Sequence, residues 1–171
     1  MPITPDTKNW TWVLERRCPE CGFDSSAVEF EQLPQLVRQN AASWRPVFAR
    51  ESVRVRPDDA TWSNLEYGAH VRDVFRVFDG RLALMLREDD PAFENWDQDA
   101  TALAERYNEQ DPAVVADELE AAAASVADAF ARVATEQLGR TGRRSDGSTF
   151  TVETLGKYFI HDPVHHLHDV G

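Results

Sequence analysis

The stretch Trp62-Ser63-Asn64-Leu65-Glu66-Tyr67-Gly68-Ala69-His70-Val71-Arg72-Asp73-Val74-Phe75 decides how the chain reads. Ser63 and Glu66 stand at the spacing of a capping box, in which the serine hydroxyl accepts the Glu66 amide while the glutamate reaches back to the serine N–H. Beyond the box, Tyr67, Val71, Val74, Phe75, Phe78, Leu82 and Met85 recur every three or four residues, the period of a helix with one buried face. At about 100° per residue, His70 lies on the edge of that apolar stripe.

Three other stretches carry the same period. The first begins at Leu33-Pro34, a proline being comfortable in a first helical turn, and runs through Leu36, Val37, Ala41, Trp44, Val47 and Phe48 to about Arg50, with a kink expected at Pro46. Asp111-Pro112 supplies a cap and a first-turn proline for the next, whose stripe of Val115, Leu119, Ala122, Val126, Phe130 and Val133 is expected to stop at Gly139. The last follows the turn Ser145-Asp146-Gly147 and uses Val152, Leu155, Phe159, Ile160 and Leu167. Four helices, each polar on one side, predict an all-α fold, a four-helix bundle over residues 31–171. The long acidic connection from Glu88 to Asp111 predicts a helical turn of its own around Ala100 to Tyr107. Residues 1–30 read as an extended N-terminal arm wrapped on the bundle, with strand-like alternation in Trp10-Thr11-Trp12-Val13-Leu14 and a CxxC turn at Cys18 and Cys21.

At 171 residues, 42% hydrophobic and with five tryptophans, the chain can bury one sizeable core. Eighteen basic against 30 acidic residues give a net charge of −12 without a basic patch, which excludes nucleic acid as a partner. No apolar run approaches the roughly 18 residues a membrane span needs. The start, Met1-Pro2-Ile3-Thr4-Pro5-Asp6, lacks the layout of a signal peptide, so the expectation is a soluble, cytoplasmic protein with no membrane partner.

The chemistry concentrates at the end, His161-Asp162-Pro163-Val164-His165-His166-Leu167-His168-Asp169, which holds four of the five histidines. His161 and His165, four apart, share one helix flank with Thr154 and Tyr158. With His70 from a facing helix they make three imidazoles that leave a coordination position open to water or substrate. Taken singly, His70 also reads as a hydrogen-bonded core-edge histidine, and the C-terminal cluster as a solvated or pH-sensitive helix end. Pro163 lies between the paired histidines, where a kink would either open their spacing or tilt both inward. The two cysteines form Cys18-Pro19-Glu20-Cys21-Gly22, the spacing of a zinc knuckle or a redox dithiol. With no second Cys pair, the motif reads as a reduced pair in a turn, as a half-site completed by His166, His168 or a second subunit, or as a redox-active dithiol. A secreted disulfide scaffold is disfavoured.

Trp62 to Val74, together with Leu155-Gly156-Lys157-Tyr158-Phe159-Ile160-His161-Asp162-Pro163-Val164-His165-His166, resembles the DinB-like, YfiT-like metal-binding four-helix bundles over roughly residues 30 to 170. The resemblance implies a divalent metal, zinc or nickel, on His70, His161 and His165. It also implies a fold shared with S-transferases and isomerases that use mycothiol, bacillithiol or glutathione, hence a small-molecule thiol and an electrophilic substrate as partners. The Cys18–Cys21 arm is outside that family's pattern. As a hydrolase, the same centre would take water, with Asp73, Asp162 or Asp169 as base or as partner of an imidazole N–H. A reading of a different class is an interaction protein, its metal absent or clipping two helices, whose acidic surface and tryptophans meet a second copy in a homodimer. An open coordination position facing a pocket marks the enzyme; a fourth protein ligand marks the clip.

Overall fold

The capping box forms as its spacing requires: the Ser63 hydroxyl accepts the Glu66 amide at 3.2 Å and Glu66 Oε2 accepts the Ser63 amide at 2.8 Å. Glu66 is held there by Arg56, whose guanidinium lies 2.9 and 2.5 Å from its two carboxylate oxygens. From this cap α3 (Asn64–Arg87) runs for 24 residues and buries Leu65, Ala69, Val71, Val74, Phe75, Phe78, Leu82 and Met85. The computed structural model describes Ile3 and residues 9–171; the remainder of the expected arm, residues 1–2 and 4–8, lies outside the described residues.

The first helical stretch divides into α1 (Leu33–Ala42) and α2 (Trp44–Phe48). The division falls at Ala42 and Ser43 rather than at Pro46 itself, because a proline ring clashes with the carbonyl four residues earlier, here that of Ala42. In the connection that follows α3, α4 (Gln98–Ala104) and a 3-10 turn (Tyr107–Glu109) supply the expected helical structure. Asp111 caps α5 (Pro112–Ala131) by accepting the Ala113 amide at 2.9 Å. That helix ends well before Gly139. Beyond its cap at Arg132, the Gln137 side chain accepts the Ala134 amide at 2.8 Å and the β-branched residues Val133 and Thr135 lead into a 3-10 turn. A hairpin absent from the sequence reading follows, β1 (Thr141–Arg143) paired antiparallel with β2 (Thr149–Thr151), Gly142 opposite Phe150. Thr151 then caps α6 (Val152–Asp169), its hydroxyl accepting the Thr154 amide at 3.1 Å.

α1 packs on α5 and α6, and α3 packs on the same two, so the order around the bundle is α1, α5, α3, α6. Successive helices α1 and α3 are therefore diagonal partners, as are α5 and α6. At the centre, Phe159 of α6 meets Phe75 and Phe78 of α3 and Phe130 of α5, with ring centroids 5.9, 5.1 and 5.6 Å away. Such pairs add about 0.5–1.5 kcal/mol each beyond their buried area, and they clamp α6 two residues before its first histidine. Pro163 sits inside α6 without interrupting it, so four-residue spacing survives across the histidine cluster.

The arm is less extended than its alternation suggested: Trp10–Leu14 is a 3-10 turn, capped by Asn9 accepting the Thr11 amide at 3.2 Å, and it packs on α6. All five tryptophans are buried or half-buried. No helix among the described residues is long and apolar enough to cross a membrane.

Two glycines of α3 differ only in what a side chain would meet. A Cβ on Gly68 would stand 2.3 Å from the Phe48 ring, whereas one on Gly80 would meet nothing within 4 Å. Gly68→Ala should destabilise the fold by about 1–3 kcal/mol through overpacking. Gly80→Ala should stabilise it by about 0.5–1 kcal/mol through reduced backbone freedom in the unfolded chain. Denaturant unfolding of the two variants checks the opposite signs.

Candidate metal centre

The three histidines expected to share one ion fall into two groups. Among the described residues, His70 comes together with Asp162 and His166, and His161 and His165 come together with Cys18 and Cys21; within each group the donor atoms lie within 4.8 Å of one another. The cause is helical geometry. Residues 161 and 165 form one row along α6 and residues 162 and 166 the next, about 100° around the helix axis. The second row faces His70 on α3, while the first faces the arm.

In the group containing His70, both imidazoles converge on one oxygen. The Nε2 atoms of His70 and His166 lie 3.2 and 3.3 Å from Asp162 Oδ1. Metal bonds of about 2.0–2.2 Å place neighbouring ligand atoms roughly 3.0–3.5 Å apart, so these separations suit the edges of a coordination polyhedron. The other nitrogen of His166, Nδ1, faces Asp169 Oδ2 at 3.0 Å, which fixes the ring and leaves Nε2 for a ligand bond. His70 is fully buried and its Nδ1 has no hydrogen-bond partner. Its ring is set instead by packing, stacked on Trp96 at 5.6 Å and 4° and against Trp62 at 5.3 Å. Two imidazoles and a carboxylate are a fitting donor set for a divalent ion and provide three protein ligands.

The electrostatics match this arrangement. Burial opposes a charge on Asp162, yet the His166 and His70 imidazoles hold its carboxyl well below the usual range. Burial likewise opposes a charge on His166, but Asp162, and then Asp169, raise it to about 9. A divalent ion would take over the charge balance that the His166 proton gives these carboxylates, that proton leaving for Nε2 to coordinate.

The group opens onto a cleft of about 520 Å³ lined by Trp10, Trp62, Tyr67, Trp96, Tyr158 and Asp169 among others. Its lining holds four aspartates, Asp97, Asp99, Asp162 and Asp169, against one guanidinium, Arg144. Arg144 donates to the Tyr158 hydroxyl at 3.0 Å. Burial, then Asp169, raises Tyr67 to about 12, so it faces the cleft as a neutral phenol.

Asp73, the remaining carboxylate considered from sequence, belongs to a different network. It pairs with Arg72 at 2.9 Å and accepts the Tyr107 hydroxyl, while Arg72 also reaches Gln110 and Glu118 at 2.8 and 3.1 Å, tying α3 to the connection and to α5. The sequence reading paired residues 161 and 165 with His70 rather than 162 and 166 because both pairs carry the same four-residue spacing. The signal separating the two rows was the Phe159, Ile160 and Leu155 stripe, which fixes how α6 is rolled.

Comparison with known proteins agrees with this architecture. No curated protein matches the chain. YfiT from Bacillus subtilis, described as a probable metal-dependent hydrolase with an unusual four-helix bundle topology, superposes with a TM-score of 0.72 at 18% identity, covering 82% of this chain and 85% of that one. The model of the DinB superfamily matches residues 29–170. From the first turn before α1 to the end of α6, this chain belongs to the DinB superfamily.

Proposed function

We propose that His70, Asp162 and His166 hold a divalent metal ion and that the chain is a metal-dependent enzyme of nucleophile transfer, acting with a low-molecular-weight thiol on an electrophilic substrate. The observation that carries this reading is the convergence of two imidazole Nε2 atoms from α3 and α6 on Asp162 Oδ1 at the wall of an aromatic cleft. A group of three protein ligands facing a cleft is what chemistry needs; a clip between helices would be closed by a fourth. When bound there, a divalent ion supplies Lewis acidity that shifts a thiol or a water in an open position toward its deprotonated form at neutral pH.

This chain's own residues then divide the remaining work. Asp169 orients the His166 ring through Nδ1. Trp62 and Trp96 keep water from the buried face of His70. The Tyr67 phenol stays protonated and can donate a hydrogen bond to a developing negative charge in the cleft. A cleft of about 520 Å³ has room for a thiol together with a small electrophile. Outside the ligand set, Asp97, Asp99 and Asp169 outnumber Arg144 in its lining, which favours a neutral, hydroxyl-rich thiol such as mycothiol over glutathione, which carries two carboxylates. Among divalent ions, zinc fits the two imidazoles and the carboxylate, with nickel next. The cytoplasm is the proposed location, consistent with free cysteines.

A hydrolase is the second reading, favoured by the fold shared with YfiT, whose description names metal-dependent hydrolysis. There water takes the place of the thiol and the same three ligands serve.

Asp162→Ala and His166→Ala should each lower metal occupancy of this centre and reduce turnover by more than about 100-fold, and Asp169→Asn should weaken metal affinity by about 10–100-fold while leaving the fold intact. Elemental analysis and competition with a chromogenic chelator check both; unchanged metal affinity in all three variants contradicts the assignment.

The thiol preference is checked with a panel of thiols against a chromogenic electrophile, alongside an ester and amide panel without thiol. Turnover should be greatest with the neutral sugar thiol and at least about tenfold lower with glutathione. Thiol-independent cleavage of the ester or amide panel, with no thiol-dependent turnover, replaces the transferase with the hydrolase.

A further inference from the structure

The second group lies outside the proposed reaction centre and has a different donor set. Cys18 is buried and Cys21 half-buried at the turn that joins the arm to the bundle, and both are free thiols. The loop carrying them is tightly wound: the Gly22 amide donates to the Cys18 carbonyl at 2.9 Å and the Cys18 amide to the Phe23 carbonyl at 2.8 Å. Gly22 sits at φ +79°, a conformation side chains rarely adopt. This turn aims both sulfurs at the row of α6 that holds His161 and His165.

The distances there are those of a tetrahedral site. Zinc bonds of about 2.3 Å to sulfur and 2.0–2.1 Å to nitrogen, at a tetrahedral angle, put sulfur and nitrogen roughly 3.6 Å apart. Cys18 Sγ lies 3.7 Å from His165 Nδ1. The opposite nitrogen of that ring, Nε2, faces Glu20 at 3.4 Å and Asp169 at 3.7 Å, the carboxylate support that a metal-bound imidazole ordinarily has. His161 is buried, and its Nε2 has no hydrogen-bond partner, a cost that a ligand bond would remove. Trp10, Trp12 and Phe23 pack around His161 with ring centroids 5.6, 6.4 and 5.4 Å away, and His161 and His165 form part of the wall of the same cleft that Asp162 and His166 line.

We propose that Cys18, Cys21, His161 and His165 form a second metal site, a closed structural zinc centre that fastens the N-terminal arm to α6. Two thiolates balance the charge of the ion, four protein ligands complete its coordination, and both thiol protons pass to solvent on binding. The site holds Trp10 against α6, where that ring also lines the reaction cleft. It does not depend on the function proposed for His70, Asp162 and His166.

The test is cobalt substitution of the full-length, untagged protein purified under argon, read by optical absorption and elemental analysis together. Wild type should show thiolate-to-cobalt charge transfer in the near ultraviolet and intense tetrahedral d–d bands. Cys21→Ser should lose or strongly weaken both and release about one metal equivalent. His166→Ala should keep the thiolate charge transfer in full, with any lost equivalent and weakened d–d absorption coming from the other centre; loss of the thiolate band in that variant counts against the proposal. Loss of the thiolate bands in His161→Ala identifies the histidine partners. Wild-type spectra without thiolate charge transfer, or a Cys18–Cys21 disulfide in the anaerobic protein, overturn the proposal whatever the variants do.

Discussion

The roll of α6 about its own axis is the constraint on which everything else depends. Adjacent residues on a helix point about 100° apart, so a one-residue rotation would exchange the row at 161 and 165 with the row at 162 and 166. The core leaves no freedom for that exchange. Phe159 is clamped among Phe75, Phe78 and Phe130, and Gly156 lets α6 approach so closely that a Cβ there would stand 2.4 Å from Leu33. With the apolar stripe fixed, one row meets α3 and the cleft and the other meets the arm.

The two rows then present donors of different character. One offers two imidazoles and a carboxylate, the other two imidazoles faced by two thiols with aromatic rings packed around them, and Asp162, His166, His161 and His165 all line the cleft. Three ligands with a hard oxygen among them belong with chemistry, while four ligands with two soft sulfurs belong with structure. Asp169 stands between them, 3.0 Å from His166 Nδ1 and 3.7 Å from His165 Nε2, so a charge change in one group is felt by the other. The enzyme and the clip, rival readings of the sequence, are each supported by a different set of residues.

Much of the fold was legible because local rules and tertiary packing agree along α3, α5 and α6. Ser63 and Glu66 announce one helix start and Asp111-Pro112 another, and the apolar stripes are buried save for Tyr67, Ala122, Val133 and Leu167, which are half-buried. The hairpin at 141–151 was not legible, since three-residue strands leave almost no periodic signal, and the end of α5 was misplaced because Gly139 carries a cap signal with no helix left to end. At the site, the histidine richness of α6 and the inward position of His70 were visible; which histidines meet was not. That depends on the helix roll, and two overlapping four-residue pairs fit the same periodicity. The Cys pair was expected to find His166, His168 or a second subunit, whereas the histidines that face it some 140 residues away are His161 and His165, which the sequence reading had given to another ion.

The most direct test of the account is an anomalous-difference map at the zinc edge from crystals of the metal-loaded protein. Two peaks are expected, one bounded by Cys18, Cys21, His161 and His165, the other by His70, Asp162 and His166 with coordination open to the cleft. A single peak shared by His70, His161 and His165 would contradict it.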